Sequence, residues 1–184
     1  MKHLIVINGT MGVGKTAAAG ELKNLLDRSV LLDGDWCWDM HPFSVTEETK
    51  AMVLDNISHL LKNFLECSQF KYVIFCWVMH QEQICRDILE RLNGEYELFR
   101  FTLTCPENVL RERLQKDVEA GLRLPDVIER SVERLACYGG MNTVKIETGE
   151  LSAAQAAEQI AEIVKGRQRN DQRSCKKKPQ LPRL

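Results

Sequence analysis

The chain has 184 residues, 44% of them hydrophobic and 28% charged, which is ordinary globular usage and excludes a disordered or fibrous protein. Its length fits about one domain plus a remainder. No apolar run approaches the roughly 20 residues that cross a bilayer, and the apolar start at residues 3–7 is too short for a signal peptide, so a cytoplasmic protein is expected. The net charge of −1 hides an asymmetry: residues 167–184 hold seven Lys/Arg against one Asp, leaving 18 basic and 25 acidic residues before them. A body this acidic is poorly suited to non-specific nucleic-acid binding. Neither a nucleic-acid partner nor a membrane is expected.

Short apolar runs alternate with stretches of helical period. Residues 2–8 (KHLIVIN) read as a strand, followed by a glycine-rich turn and a helix over about 15–26. Residues 29–32 form a second short strand, and 36–42 a turn. Ser44 with Glu47 three residues on predicts a capping box that opens a helix to about Cys67, whose Val53, Ile57, Leu60, Leu61, Phe64 and Leu65 make one apolar stripe. Residues 71–78 (KYVIFCWV) are β-prone without a turn residue, hence a central strand with Cys76 and Trp77 in the core.

A helix over 81–92 closes at Asn93-Gly94, and 96–103 is a fourth strand. Thr104 with Glu107, and Pro106 in the first turn, open a helix through Val118. Residues 121–125 break the pattern before a helix over about 126–137, a fifth strand over 143–146 and a last helix over 152–164 capped by Ser152. Strands separated by helices pair in parallel, so a three-layer α/β/α sandwich is expected. The domain spans 1–166; the basic tail 167–184, with its Lys triplet and two prolines, is expected to be disordered. Seven cysteines, an odd count without a C-x-x-C pair, argue against disulfides or a zinc cage, and most are expected to be small buried hydrophobes.

Gly9-Thr10-Met11-Gly12-Val13-Gly14-Lys15-Thr16 matches G-x-x-x-x-G-K-[ST] in full, one residue after a strand and running into a helix. Glycines let backbone N–H groups turn inward around phosphate oxygens, and the helix start adds positive potential. Lys15 is expected to reach the β- and γ-phosphates of ATP and the Thr16 hydroxyl to ligate Mg²⁺. The apolar strand 71–78 ends in Met79-His80-Gln81 instead of the Asp-Glu of motor ATPases, and no N-K-x-D segment reads guanine. Instead, Asp33-Gly34-Asp35 follows the second strand. Two carboxylates at a parallel strand's carboxyl end point into the ligand crevice, where one can support Mg²⁺ through its water shell and the other accept a proton. An ordinary Asp-Gly turn is the alternative.

With these motifs the chain resembles, over about residues 3–165, the small P-loop kinases that include shikimate, gluconate and adenylylsulfate kinases and the chloramphenicol and tunicamycin resistance kinases. The resemblance rests on GTMGVGKT and on the LDGD of residues 32–35. It implies a P-loop NTPase sheet of five parallel strands in the order 2-3-1-4-5, with a short lid at about 115–126. It also implies Asp35 as the base or acceptor-hydroxyl anchor and Asp33 as outer Mg²⁺ support. Arg113 is implied against the adenine or phosphates, Arg123 closing on the γ-phosphate, and the Thr148-Gly149 backbone against adenine.

Arg111, Lys116, Arg130 and Arg134 flank the lid as well; Arg130 and Arg134 could face an anionic acceptor, or these residues could line solvated helix faces beside nearby acids. Trp36, Trp38, His41, Pro42 and Phe43 either stack on a flat acceptor or pack the start of the second helix. His41 and His80 lack ligand spacing. No Gly-Gly-Gly segment of the shikimate type follows the third strand. The expected activity is ATP-dependent transfer of the γ-phosphoryl group to a small-molecule acceptor, by a monomer or homodimer. A nucleoside or nucleotide kinase and a non-catalytic nucleotide-binding switch are the alternatives.

Overall fold

In the computed structural model, residues 1–175 are described, with side chains through Arg167. Five strands, β1 (Lys2–Asn8), β2 (Ser29–Asp33), β3 (Tyr72–Cys76), β4 (Tyr96–Thr104) and β5 (Val144–Glu147), form one parallel sheet in the order β2-β3-β1-β4-β5. Along β1, Leu4 and Val6 pack on one face and Ile5 and Ile7 on the other, so the middle of this central strand is apolar on both faces. Helices α2 (Glu47–Glu66) and α3 (Glu82–Leu89) cover the first face. Helices α1 (Lys15–Leu25), α4 (Glu107–Glu119), α5 (Val127–Gly139) and α6 (Ala153–Cys175) cover the second. Each fully buried aliphatic or aromatic side chain contributes about 1.5–3 kcal/mol of transfer free energy. The stripe of α2 buries Val53, Ile57, Leu61 and Leu65, with Leu60 and Phe64 packed at its margin.

Register places the site. Ile7 of β1 lies opposite Cys76 of β3, which lies opposite Asp33 of β2, so the carboxyl ends of the three strands form one row. The phosphate-loop motif leaves β1 there, and a short 3₁₀ turn (Gly34–Trp38) leaves β2 beside it.

Several boundaries differ from expectation for local reasons. The cap of α2 is Thr46, not Ser44: the Thr46 N–H donates to Thr49 Oγ1 at 2.8 Å and the Thr49 N–H returns to Thr46 Oγ1 at 3.1 Å, while Ser44 only supplies a carbonyl to the Thr49 hydroxyl. Thr104 stays in β4 instead of opening α4, because its carbonyl accepts the Thr148 N–H at 2.7 Å and so carries the sheet one residue further; Pro106 caps the helix. Strand β3 stops at Cys76, and Trp77, expected inside the core, packs at its margin. Helix α6 continues past Val164 to Cys175, into the segment expected to be a tail; residues 176–184 lie outside the described residues. Cys76, Cys85 and Cys105 are buried, Cys37 and Cys67 half-buried and Cys137 exposed. Among the described residues, no helix is long and apolar enough to cross a membrane.

Candidate active site

The loop between β1 and α1 is shaped by glycines that no other residue replaces easily. Gly12 sits at φ 81°, and a Cβ there would meet the Leu114 side chain of α4 at 2.7 Å. Nothing lies within 4 Å of a Cβ built on Gly14, so the loop opens outward at the helix start. That opening is where the free N–H groups of α1 favour an anion.

Lys15, almost fully buried, donates from Nζ to the Thr10 carbonyl at 2.8 Å. Burial pulls its ammonium down to about 8, against the opposing charges of Asp35 and Asp33. An anionic partner in the loop would raise it again by favouring the charged form. The Thr10 hydroxyl donates to the Ser131 carbonyl at 2.8 Å, tying the loop to α5.

The acids of the second strand converge on the same place. Thr16 Oγ1 donates to Asp33 Oδ2 at 2.6 Å, and Asp33 Oδ1 accepts the Asp35 N–H at 3.0 Å. A hydroxyl and a carboxylate in contact are a hard oxygen donor set, which suits Mg²⁺ held jointly with phosphate oxygens. Among the described residues, no cluster of three or more His, Cys, Asp or Glu side chains could hold a metal by itself. Asp35 Oδ1 accepts the Trp77 indole N–H at 3.1 Å. Burial, then the charge of Asp33, pushes the Asp35 carboxyl above its usual range, which makes it a stronger base. Gly34, between the two acids, underlies this contact: a Cβ there would come within 2.4 Å of the Trp77 ring.

Arg113 and Arg123 take separate stations. Arg113 Nη2 donates to the Thr148 carbonyl at 2.6 Å, and the Thr148 hydroxyl lies 3.1 Å from the Val13 carbonyl. Gly12, Val13, Gly14, Arg113, Thr148 and Ser152 line a cavity of about 120 Å³ on that side of the loop. Arg123, in the α4–α5 connection, pairs with Asp117 at 3.0 Å and lies 3.2 Å from the Met11 sulfur. It therefore stands at the loop's mouth, already held by an acid. Arg111 is occupied by Glu107 and Glu129.

A second cavity, of about 440 Å³, opens from Met11 and Asp35 and is walled by Trp38, Phe43, Trp77 and Val78, with His80, Arg130 and Arg134 also lining it. Sequence reasoning missed Trp77 and His80 as site residues. Both follow the carboxyl end of a parallel strand, the same signal that marked Asp33 and Asp35.

The fold agrees with comparison to known proteins. A model of the AAA domain family matches residues 5–133, well over half of the chain. The chain belongs to the AAA domain family. Another protein, called a nucleotide-binding protein, from Thermotoga petrophila, is 29% identical over 176 residues, covering 89% of this chain and 54% of its own. The chain thus spans about half the length of that curated relative. Among solved structures, the tunicamycin resistance protein of Deinococcus radiodurans is similar at 26% identity and a TM-score of 0.64, over 89% of this chain and 96% of that one. A gluconokinase from Sinorhizobium meliloti shares the fold at 17% identity and a TM-score of 0.60, over 90% and 97%. Within the AAA domain family, this chain has the fold and strand order of the small P-loop kinases.

Proposed function

We propose that the protein transfers the γ-phosphoryl group of ATP to a hydroxyl of a small-molecule acceptor. The observation that carries this reading is the position of Asp35: its carboxylate lines the 440 Å³ cavity together with Met11 of the phosphate loop. An acceptor in that cavity would therefore meet a base beside the loop that holds the donor. Thr16 and Asp33 would hold Mg²⁺, which supplies charge neutralisation at the phosphates. The Lys15 ammonium would bind the β- and γ-phosphates. Asp35 would take the proton from the acceptor hydroxyl as its oxygen bonds to the γ-phosphorus and the bond to the ADP oxygen breaks. Arg123 would exchange Asp117 for the γ-phosphate as the connection closes.

The test is an ATP-consumption screen against nucleosides, nucleotides, sugar acids and phenicol or aminoglycoside antibiotics, with the Lys15→Ala protein as blank. On the acceptor so found, Asp35→Asn lowers turnover ~10²–10⁴-fold with ATP binding nearly unchanged. Full transfer activity in that variant would remove Asp35 from the role.

A further inference from the structure

Two groups in the acceptor cavity lack partners. The Arg134 guanidinium has no hydrogen bond or ion pair among the described residues, whereas that of Arg130, one turn earlier, is paired with Asp126 at 3.2 Å. The Nδ1 atom of His80 is buried with no hydrogen-bond partner, and so are the Tyr138 hydroxyl and the Ser131 Oγ of α5. Unpaired buried polar groups are uncommon, and of these residues His80 lines the cavity, where a ligand's polar group can supply a partner. Arg130 and Arg134 reach the cavity from α5, and Asp35 from the turn after β2, so its basic and acidic lining come from different elements.

The same cavity has an aromatic wall. Trp38 and Phe43 have ring centroids 5.8 Å apart at 49°, and Phe43 is 67% exposed. Trp77 presents its ring on the same cavity, with its N–H committed to Asp35. Tilted rings around open space suit a flat ring that stacks against one of them edge-to-face or offset. A cavity of this volume is within the range that encloses a drug-sized ligand.

Resting on the reading of this cavity as the acceptor site, we propose that it takes a flat aromatic or heteroaromatic alcohol bearing an anionic group. Its carboxylate or phosphate meets Arg134 and His80, its ring lies along Trp38, Phe43 and Trp77, and its hydroxyl faces Asp35. A guanidinium without a carboxylate partner is poised for a charge-assisted bidentate contact, which an uncharged ligand of the same shape does not make.

Two of the chain's three tryptophans line the cavity, so binding is read by intrinsic fluorescence in the full chain without ATP. Two charged and uncharged pairs serve as probes: 4-(hydroxymethyl)benzoate against benzyl alcohol, and uridine 5′-monophosphate against uridine. The charged member of at least one pair binds about tenfold or more tightly, and the pair that responds tells carboxylate from phosphate. Arg134→Gln abolishes the preference and Arg134→Lys keeps part of it. Equal binding within both pairs, or a preference that survives Arg134→Gln, overturns the proposal; if that variant does not fold, the wild-type comparison alone decides. The same probes with ATP separate the two readings. An Arg134-dependent preference without transfer supports the anion site and counts against phosphotransfer. Transfer to the uncharged members at equal kcat/KM overturns the anion site and leaves phosphotransfer standing.

Discussion

Gly34→Ala isolates the contact that orients the proposed base. The added Cβ would lie 2.4, 2.6 and 2.8 Å from three atoms of the Trp77 ring, where ordinary contacts begin near 3.4 Å, so the ring or the turn must shift by about 1 Å. Forced overpacking of this kind costs about 1–3 kcal/mol. For a chain of this size each kcal/mol lowers Tm by about 2–4 °C, so the expected drop is about 2–12 °C. Displacing the ring also breaks its N–H bond to Asp35, and a misplacement near 1 Å can lower turnover by up to ~10²-fold. Gly34 is not among the glycines at positive φ, so its backbone accepts alanine without strain. The cost thus belongs to the ring alone. In a Trp77→Ala background, Gly34→Ala should become neutral or stabilise by about 0.4–1 kcal/mol, through the lower entropy of the unfolded chain. Thermal denaturation of the four proteins of this cycle, followed by circular dichroism, measures the coupling. Equal destabilisation by Gly34→Ala with and without Trp77 would refute the argument, as would a wild-type Tm in the single variant.

Lys15→Ala weakens nucleotide binding and turnover together, checked by calorimetry with ATP and by the consumption assay; unchanged ATP affinity would place the phosphates elsewhere. Thr46→Ala removes a reciprocal helix cap and lowers stability by about 1 kcal/mol, whereas Ser44→Ala stays within about 0.5 kcal/mol because its hydroxyl is not the cap; denaturant unfolding distinguishes them. Truncation after Gly166 costs about 0.5–1 kcal/mol, because Arg167 stands 5.4 Å over the Phe99 ring, and a loss of several kcal/mol would show a larger docked surface.

Much of the molecule was legible in the residues because the forces involved are short-ranged. Apolar runs of strand length separated by 3.6-period stripes determined the order of elements and the parallel sheet. The spacing of Gly9, Gly14, Lys15 and Thr16 marked a glycine turn between a strand and a helix start, which is where the structure has it. The pair Asp33 and Asp35 was visible because it stands at a strand's carboxyl end, Asp33 as its last residue and Asp35 in the turn that follows. Tertiary structure decided what those groups face. Trp77 looked like core because KYVIFCWV is continuous in sequence, yet β3 ends one residue earlier and the ring turns to Asp35. The Ser44–Glu47 box expected to open α2 gave way to the reciprocal Thr46–Thr49 cap. The cavity joins residues from the phosphate loop, the turn after β2, the end of β3 and α5. No local pattern links those four segments, because only strand order and crossover packing set the distances between them.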